Sequence, residues 1–139
     1  MNEELQETLF NKYPEIFQEK DLPMTQTAMC WGIDTGDGWY DIIDTICSKL
    51  DKLNADLPEG KKIIARQVKE KFGGLRFYTS RSSDESSEII REGEAKSYDT
   101  CDMCGNPGYV NPTGYWMVTL CESCHEARIK RMEALGKDQ

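Results

Sequence analysis

The stretch CDMCGNPGYVNPTGYWMVTLCESC, residues 101–124, contains two Cys-x2-Cys pairs separated by 16 residues. This spacing is typical of sites in which four thiolates hold one zinc ion. Each short turn directs two sulfurs toward one centre, and a hairpin between the pairs would return the second pair to the first. We therefore predict one structural Zn²⁺ per chain, with four ligands: Cys101, Cys104, Cys121 and Cys124.

The residues within and after this stretch support the same arrangement. GYV and YWMVTL have strand composition and flank the predicted turn NPTG. A helical pattern follows the second pair, with an apolar face formed by Ala127, Ile129, Met132 and Leu135. The order of knuckle, hairpin and helix resembles the treble-clef zinc fold. We expect a treble-clef-like zinc element over residues 98–139.

Two other interpretations of the cysteines are weaker. Cys124-His125 completes a C-x-x-C-H sequence, but covalent haem attachment normally requires export, and the chain shows no secretion signal. A redox dithiol would use one pair and leave the other unexplained. Because four sulfur ligands leave no open coordination position, we expect the zinc to stabilise structure and not to catalyse a reaction.

The residues before the cysteines predict mainly helices. NEELQETLFNKYPEIFQEK has helical apolar spacing, with Pro14 dividing it into two short helices. The glycine-rich WGIDTGDGW predicts a loop, followed by a helix capped near Asp37. SRSSDESS predicts a polar loop, and SEIIREGEAKSYD a short helix. The apolar stripe of the central helix consists of Trp39, Ile42, Ile43, Ile46, Cys47, Leu50 and Leu53.

IIARQVKEKFGGLRFYTS predicts a β-hairpin with a tight turn at Gly73-Gly74. Around it lie seven cations, Lys61, Lys62, Arg66, Lys69, Lys71, Arg76 and Arg81, interleaved with three aromatic residues. This combination can contact phosphates and stack on bases, but the cations can equally pair with the acidic helices. The candidate binding residues are Arg66, Lys69, Lys71, Phe72, Arg76 and Tyr78.

Length and charge set the remaining limits. The chain has 139 residues, enough for one compact unit, and a formal net charge of −8, which disfavours non-specific nucleic-acid binding. Residues 1–60 carry a net charge of −9 and residues 61–81 a net charge of +6. We expect an α+β protein with a helical and hairpin core over residues 1–97 packed against residues 98–139, located in the cytoplasm.

Three phrases, WGIDTGDGWYDIID, QVKEKFGGLRFY and the cysteine stretch, together resemble a family of small bacterial and bacteriophage proteins. The resemblance extends from about Met29 to Cys124, and its second phrase is the most distinctive. It implies a phage or prophage origin and a cytosolic protein in a bacterial host. It brings no established activity to any residue, but small acidic phage proteins frequently bind and inhibit host machinery.

Three classes of function are compatible with the sequence. The favoured hypothesis is a non-enzymatic, zinc-stabilised protein that binds a macromolecular partner, with a protein favoured over nucleic acid by the net charge. The alternative is a nucleic-acid-binding protein that uses the basic hairpin, residues 61–81. An enzyme is the weakest hypothesis, because the chain has one histidine and lacks nucleophile-elbow and P-loop signatures.

Overall fold

The protein has an α+β fold, which confirms the predicted class. The structure is a computed structural model that describes residues 1–113 and 116–137. Its elements follow in chain order: α1 (Glu3–Lys12), β1 (Ile33–Asp34), α2 (Tyr40–Ala55), β2 (Ala65–Lys71), β3 (Gly74–Thr79), α3 (Asp84–Ser97), β4 (Tyr109–Thr113), β5 (Trp116–Leu120) and α4 (Glu122–Lys137).

One hydrophobic core unites the first 97 residues. The predicted stripe of α2 supplies its centre, with Ile43, Ile46 and Leu50 fully buried, because this helix packs against α3 and its apolar side chains share one cluster with those of the sheet. The indole of Trp39 is completely buried just before α2. Further contributions come from α1, the following turns and the sheet: Leu9, Phe10, Tyr13, Ile16, Phe17, Met29, Ile33, Ile63, Ala65, Val68, Leu75 and Phe77.

β1, β2 and β3 form a three-stranded sheet in that order. β1 pairs with β2 in parallel, and β2 with β3 in antiparallel register. The outer edge of β3 is covered by side chains of α3. The Leu75 amide donates to Ser97 Oγ at 2.9 Å and the Phe77 amide to Glu94 Oε2 at 3.0 Å. Since an unpaired edge is a template for unwanted strand pairing, α3 both packs on the sheet and closes it.

Several local expectations were wrong. Residues 14–22 form turns, not a second helix. The carboxylate of Asp37 makes no cap to α2 and accepts instead from the backbone and side chain of Asn2, tying this loop to the start of α1. α3 begins within the expected loop, because Ser83 and Ser86 form a capping box at its N-terminus.

The cysteine segment, residues 98–139, is built as expected from a knuckle, the β4–β5 hairpin and helix α4. The predicted turn NPTG lies differently. Residues 111–113 belong to β4, and Gly114, with Tyr115, lies outside the described residues.

The knuckle docks onto the core through the glycine-rich loop. The Gly38 amide donates to the Asp102 carbonyl at 2.8 Å, and the Gly36 amide to Asp102 Oδ1 at 2.8 Å. The Trp39 indole N–H donates to the Thr100 carbonyl at 2.9 Å. A Cβ on Gly38 would overlap the carbonyl oxygen of Cys101. Two backbones can therefore meet here only because the loop carries no side chain at this position.

Gly38→Ala tests this close approach. The added methyl meets backbone atoms that cannot rotate away, so we expect a loss of at least about 2 kcal/mol in the free energy of unfolding. Urea denaturation measures it. Gly136→Ala is the matched control, because its Cβ would meet no atom within 4 Å. Equal stability of the two variants would contradict the proposed packing.

Candidate metal centre and hairpin surface

The structure brings the four predicted ligands together. The sulfur atoms of Cys101, Cys104, Cys121 and Cys124 all lie within 4.8 Å of one another, and Cys104 Sγ and Cys121 Sγ are 3.7 Å apart. None of them is in a disulfide. The cluster contains both Cys-x2-Cys pairs, whereas a redox dithiol would use only one. This donor set fits a single metal ion held between the two pairs.

Local backbone geometry places each pair. In the knuckle, the Cys101 amide donates to the Asn106 carbonyl at 2.7 Å and the Gly105 amide to the Cys101 carbonyl at 2.9 Å. Cys121 follows β5 directly, and Cys124 lies in the first turn of α4, where the His125 amide donates to the Cys121 carbonyl at 2.9 Å. The second pair therefore acquires its geometry from the junction of strand and helix.

Cys101 and Cys124 differ in pKa because their surroundings differ. Burial raises the pKa of Cys101, but backbone donors from Cys121, Cys104 and Met103 outweigh it and bring the value to about 7. For Cys124, burial together with the neighbouring sulfurs raises the pKa to about 12. Because a bound cation would favour all four thiolates, metal binding would release protons and weaken in acid.

Apolar burial contributes little to the cysteine segment. Among the side chains described there, the buried hydrophobic ones are Cys101 and Leu120, and neither belongs to the main core. Ile129 of α4 is half-buried, but Met132 and Leu135 are exposed, so the later part of the expected apolar face has no cover in the described structure. Metal coordination would therefore supply much of this segment's folding free energy.

The β2–β3 hairpin turns one residue earlier than expected. Its two-residue loop is Phe72-Gly73, and Gly74 already pairs with Lys71. Both loop residues have positive φ, 54° for Phe72 and 85° for Gly73, which is the conformation of a type I′ turn. This conformation suits glycine and asparagine, whereas a bulky residue in it is an outlier. The Phe72 ring is nevertheless 64% exposed.

The cysteine segment braces this turn. Thr119 of β5 donates its hydroxyl hydrogen to the Gly73 carbonyl, and a Cβ on Gly73 would lie 3.4 Å from both Thr119 Oγ1 and Val110 Cγ1. From within the hairpin, Glu70 Oε1 accepts from the Gly73 amide at 3.0 Å. Both backbone groups of Gly73 are thus held. The hairpin tip, Phe72 and Gly73, has a fixed position relative to the sulfur cluster.

Four predicted binding residues, Lys69, Lys71, Arg76 and Tyr78, form one surface, here termed the outer face. Their strand neighbours Val68 and Phe77 point into the core, so these side chains point away from it. Lys69 and Arg76 are paired across the strands, and like charges in that arrangement cost stability.

Each cation of that pair has a different environment. Arg76 donates to Tyr98 Oη at 3.1 Å, and this bond raises the pKa of Arg76. Among the described residues, no carboxylate comes within 4.0 Å of the Lys69 ammonium group. On β1, however, Asp34 is the cross-strand neighbour of Lys69, and the Glu94 carboxylate attracts Arg76, so opposite charges offset part of this cost. The exposed side chains of Lys71 and Tyr78 mark the outer face as a candidate contact surface.

Arg66 does not join this surface. It lies near the opposite end of β2, where its Nε is 3.0 Å from Glu19 Oε1. Lys62, another cation of the basic segment, lies 4.0 Å from Glu15 Oε1. Internal pairing therefore accounts for Lys62 and Arg66. The tip end keeps the exposed Lys71 beside the Phe72 ring, whereas Tyr78 pairs with Gln67 at the end near Arg66.

The sequence did not reveal the residues that support the tip. Thr119 and Tyr98 act through contacts between segments far apart in the chain, and neither has a local signature. The position of the turn could have been predicted from the sequence. A loop of Phe72 and Gly73 places a glycine at the second position of a type I′ turn, where positive φ is required.

Comparison with protein-family models, curated proteins and solved structures finds no match to the chain. None of the helices in the described residues has the length and apolar character needed to cross a membrane.

Metal content tests the sulfur cluster directly. Protein purified without chelator should contain close to one equivalent of metal per chain by elemental analysis, and Cys121→Ser should lower this well below one, because a hydroxyl is a much poorer ligand than a thiolate. Cys30→Ser is the control, since Cys30 is a cysteine outside the cluster. Equal metal loss in both variants, or metal-free wild type, would contradict the assignment.

Proposed function

We propose that the cluster holds Zn²⁺ in a purely structural role, one ion per chain. Four sulfurs about 2.3 Å from a central zinc would lie about 3.8 Å apart at the corners of a tetrahedron. The separation of 3.7 Å between Cys104 Sγ and Cys121 Sγ supports this size. Four protein ligands also saturate the ion, which supports a stabilising role over a catalytic one.

We further propose that the protein is a non-enzymatic binding protein that recognises a partner protein through the hairpin tip and the outer face. The observation that carries this proposal is the conformation of Phe72, an exposed aromatic side chain on backbone with φ 54°. Left-handed backbone costs a non-glycine residue about 1–2 kcal/mol. Such strain is found at functional sites, where it serves to present a side chain.

The zinc element supports this function by fixing the tip. Thr119 and Val110 hold Gly73 from one side, so the ring next to it projects from a rigid base. A backbone that is already ordered loses less entropy when its residues bind a partner. Lys71 places its ammonium group 5.5 Å from the centre of the Phe72 ring, and the outer face would extend the contact along the strands as far as Tyr78, which is 45% exposed.

A protein partner is favoured over nucleic acid by counting usable charges. Lys62 and Arg66 lie beside glutamates, and Lys61 and Arg81 lie beyond the strands at the end away from the tip, which leaves Lys69, Lys71 and Arg76 on the outer face. About three phosphate contacts would give a log–log salt slope of only about −2.7. The formal net charge of −8 on the chain further disfavours binding to a polyanion. A partner with an apolar pocket and an acidic rim fits the surface better.

The resemblance to small bacterial and bacteriophage proteins supports a bacterial cell as the place of this interaction. We propose a protein of phage or prophage origin acting in the cytoplasm of a bacterial host. Such binding would most simply inhibit host machinery. A rigidly held side chain can block a partner's surface without catalysing a reaction.

Phe72→Asn tests whether the left-handed backbone at residue 72 costs the protein stability. It creates Asn-Gly, the preferred pair for a type I′ turn, so we expect the free energy of unfolding to rise by about 1 kcal/mol. Urea denaturation at fixed zinc concentration measures the change. A loss of stability would show that the phenylalanine ring contributes packing to the fold, which contradicts its proposed role as a presented contact residue.

The same variant tests binding. Proteins retained from bacterial extract by the tagged wild-type chain should be lost with Phe72→Asn and weakened with Lys71→Glu. Leu135→Ala is the matched control, because Leu135 is 66% exposed, close to the value for Phe72, but lies on α4. Retention by Phe72→Asn at wild-type level would contradict the proposal. So would salt-sensitive binding of oligonucleotides in place of any protein.

A further inference from the structure

A second exposed aromatic side chain lies on a different part of the molecule. Trp31 is 68% exposed, although tryptophan is costly to leave in water. It ends a short 3-10 turn, Met29–Trp31, that precedes β1 and belongs to the strongly acidic first part of the chain. Neither the zinc centre nor the hairpin tip explains its exposure.

The backbone around Trp31 is held in place. Its amide donates to the Ala28 carbonyl at 3.2 Å, and the Ala28 amide donates to the Arg66 carbonyl at 3.1 Å. On the other side, the Gly32 amide donates to the Met29 carbonyl at 2.9 Å, and the Met29 side chain is buried. The indole is therefore displayed from a turn fastened to the sheet.

A polar cavity of about 230 Å³ opens beside the indole. Its lining includes Phe10, Glu7 and Asp21, so an aromatic ring and two carboxylates face the same space as Trp31. Lys20 already places its ammonium group 5.9 Å from the centre of the Phe10 ring and 2.8 Å from Asp21 Oδ2. Lys20 thus contacts both kinds of group in the lining, an aromatic ring and a carboxylate.

We propose that this cavity, here termed the Trp31 pocket, binds an arginine side chain from a basic segment of a partner protein. A guanidinium group can stack on the indole face and donate to a carboxylate at the same time, which an ammonium group does less well. Charge complementarity supports a basic partner, because the lining has two carboxylates against one cation, Lys20, and residues 1–60 carry a net charge of −9. An arriving guanidinium would displace the ammonium group of Lys20 from Asp21. This interaction is separate from the one proposed for the hairpin tip.

Nuclear magnetic resonance of the indole N–H groups tests the pocket. A short glycine–arginine peptide, added at physiological salt, should shift the Trp31 signal saturably and leave that of Trp39 unchanged, since the Trp39 indole is buried and bonded to Thr100. The same peptide with citrulline, which keeps the shape but not the charge, should have no effect. An equal response to a lysine peptide would overturn the assignment to guanidinium.

Substitutions complete the test. Trp31→Leu, which keeps apolar bulk but no aromatic face, should weaken peptide binding by about fivefold to tenfold. Glu7→Gln should weaken it more than Asp51→Asn, a matched removal of one exposed negative charge on α2. Equal effects of these two charge variants would mean general electrostatic attraction and would overturn the pocket. The hairpin variants should leave peptide binding unchanged, so either proposal can fail alone.

Discussion

The convergence of four sulfurs is the constraint on which the rest of this structure depends. The cysteine segment buries little apolar surface of its own, yet it meets the core at two places that require accurate positioning. At one, the backbone of the knuckle lies against Gly36 and Gly38 with no room for a side chain. At the other, Thr119 holds the carbonyl of Gly73. Both contacts require a rigid segment, and apolar burial does not supply that rigidity here. Metal coordination by the four sulfurs is the source of rigidity that the donor set could provide.

The hairpin shows what this rigidity can be used for. It combines a left-handed phenylalanine at its tip, which costs free energy, with a pair of like charges, Lys69 and Arg76, farther along the strands. Local rules are most often broken at functional sites. The hydrogen bond from Thr119 holds the carbonyl of Gly73, the residue next to this aromatic ring. We therefore propose that a metal ion bound by the sulfur cluster would give the cysteine segment its shape, and that this segment in turn positions the proposed contact surface.

Much of the fold followed from residue patterns, and the exceptions share a physical cause. The cysteine spacing located the sulfur cluster, and the apolar stripe of α2 located the core, because both patterns are periodic and local. Asp37 was misassigned as a cap because its partner, Asn2, lies far away in sequence. For the same reason the pairing of Arg66 with Glu19 could not be distinguished from a free binding residue. The strand β1 was missed because two residues are too short to show alternation. The exposure of Trp31 likewise depends on tertiary packing that no local pattern encodes.

Hydrogen exchange, compared between the metal-loaded and the metal-stripped protein, tests the central claim most directly. If coordination shapes the cysteine segment and through it the hairpin tip, metal removal should abolish amide protection over residues 99–137 and reduce it at Gly73 and Gly74. Protection in α2, whose side chains form the separate main core, should persist. Unchanged protection of residues 99–137 after complete metal removal would contradict the account, because the segment would then hold its shape without the ion.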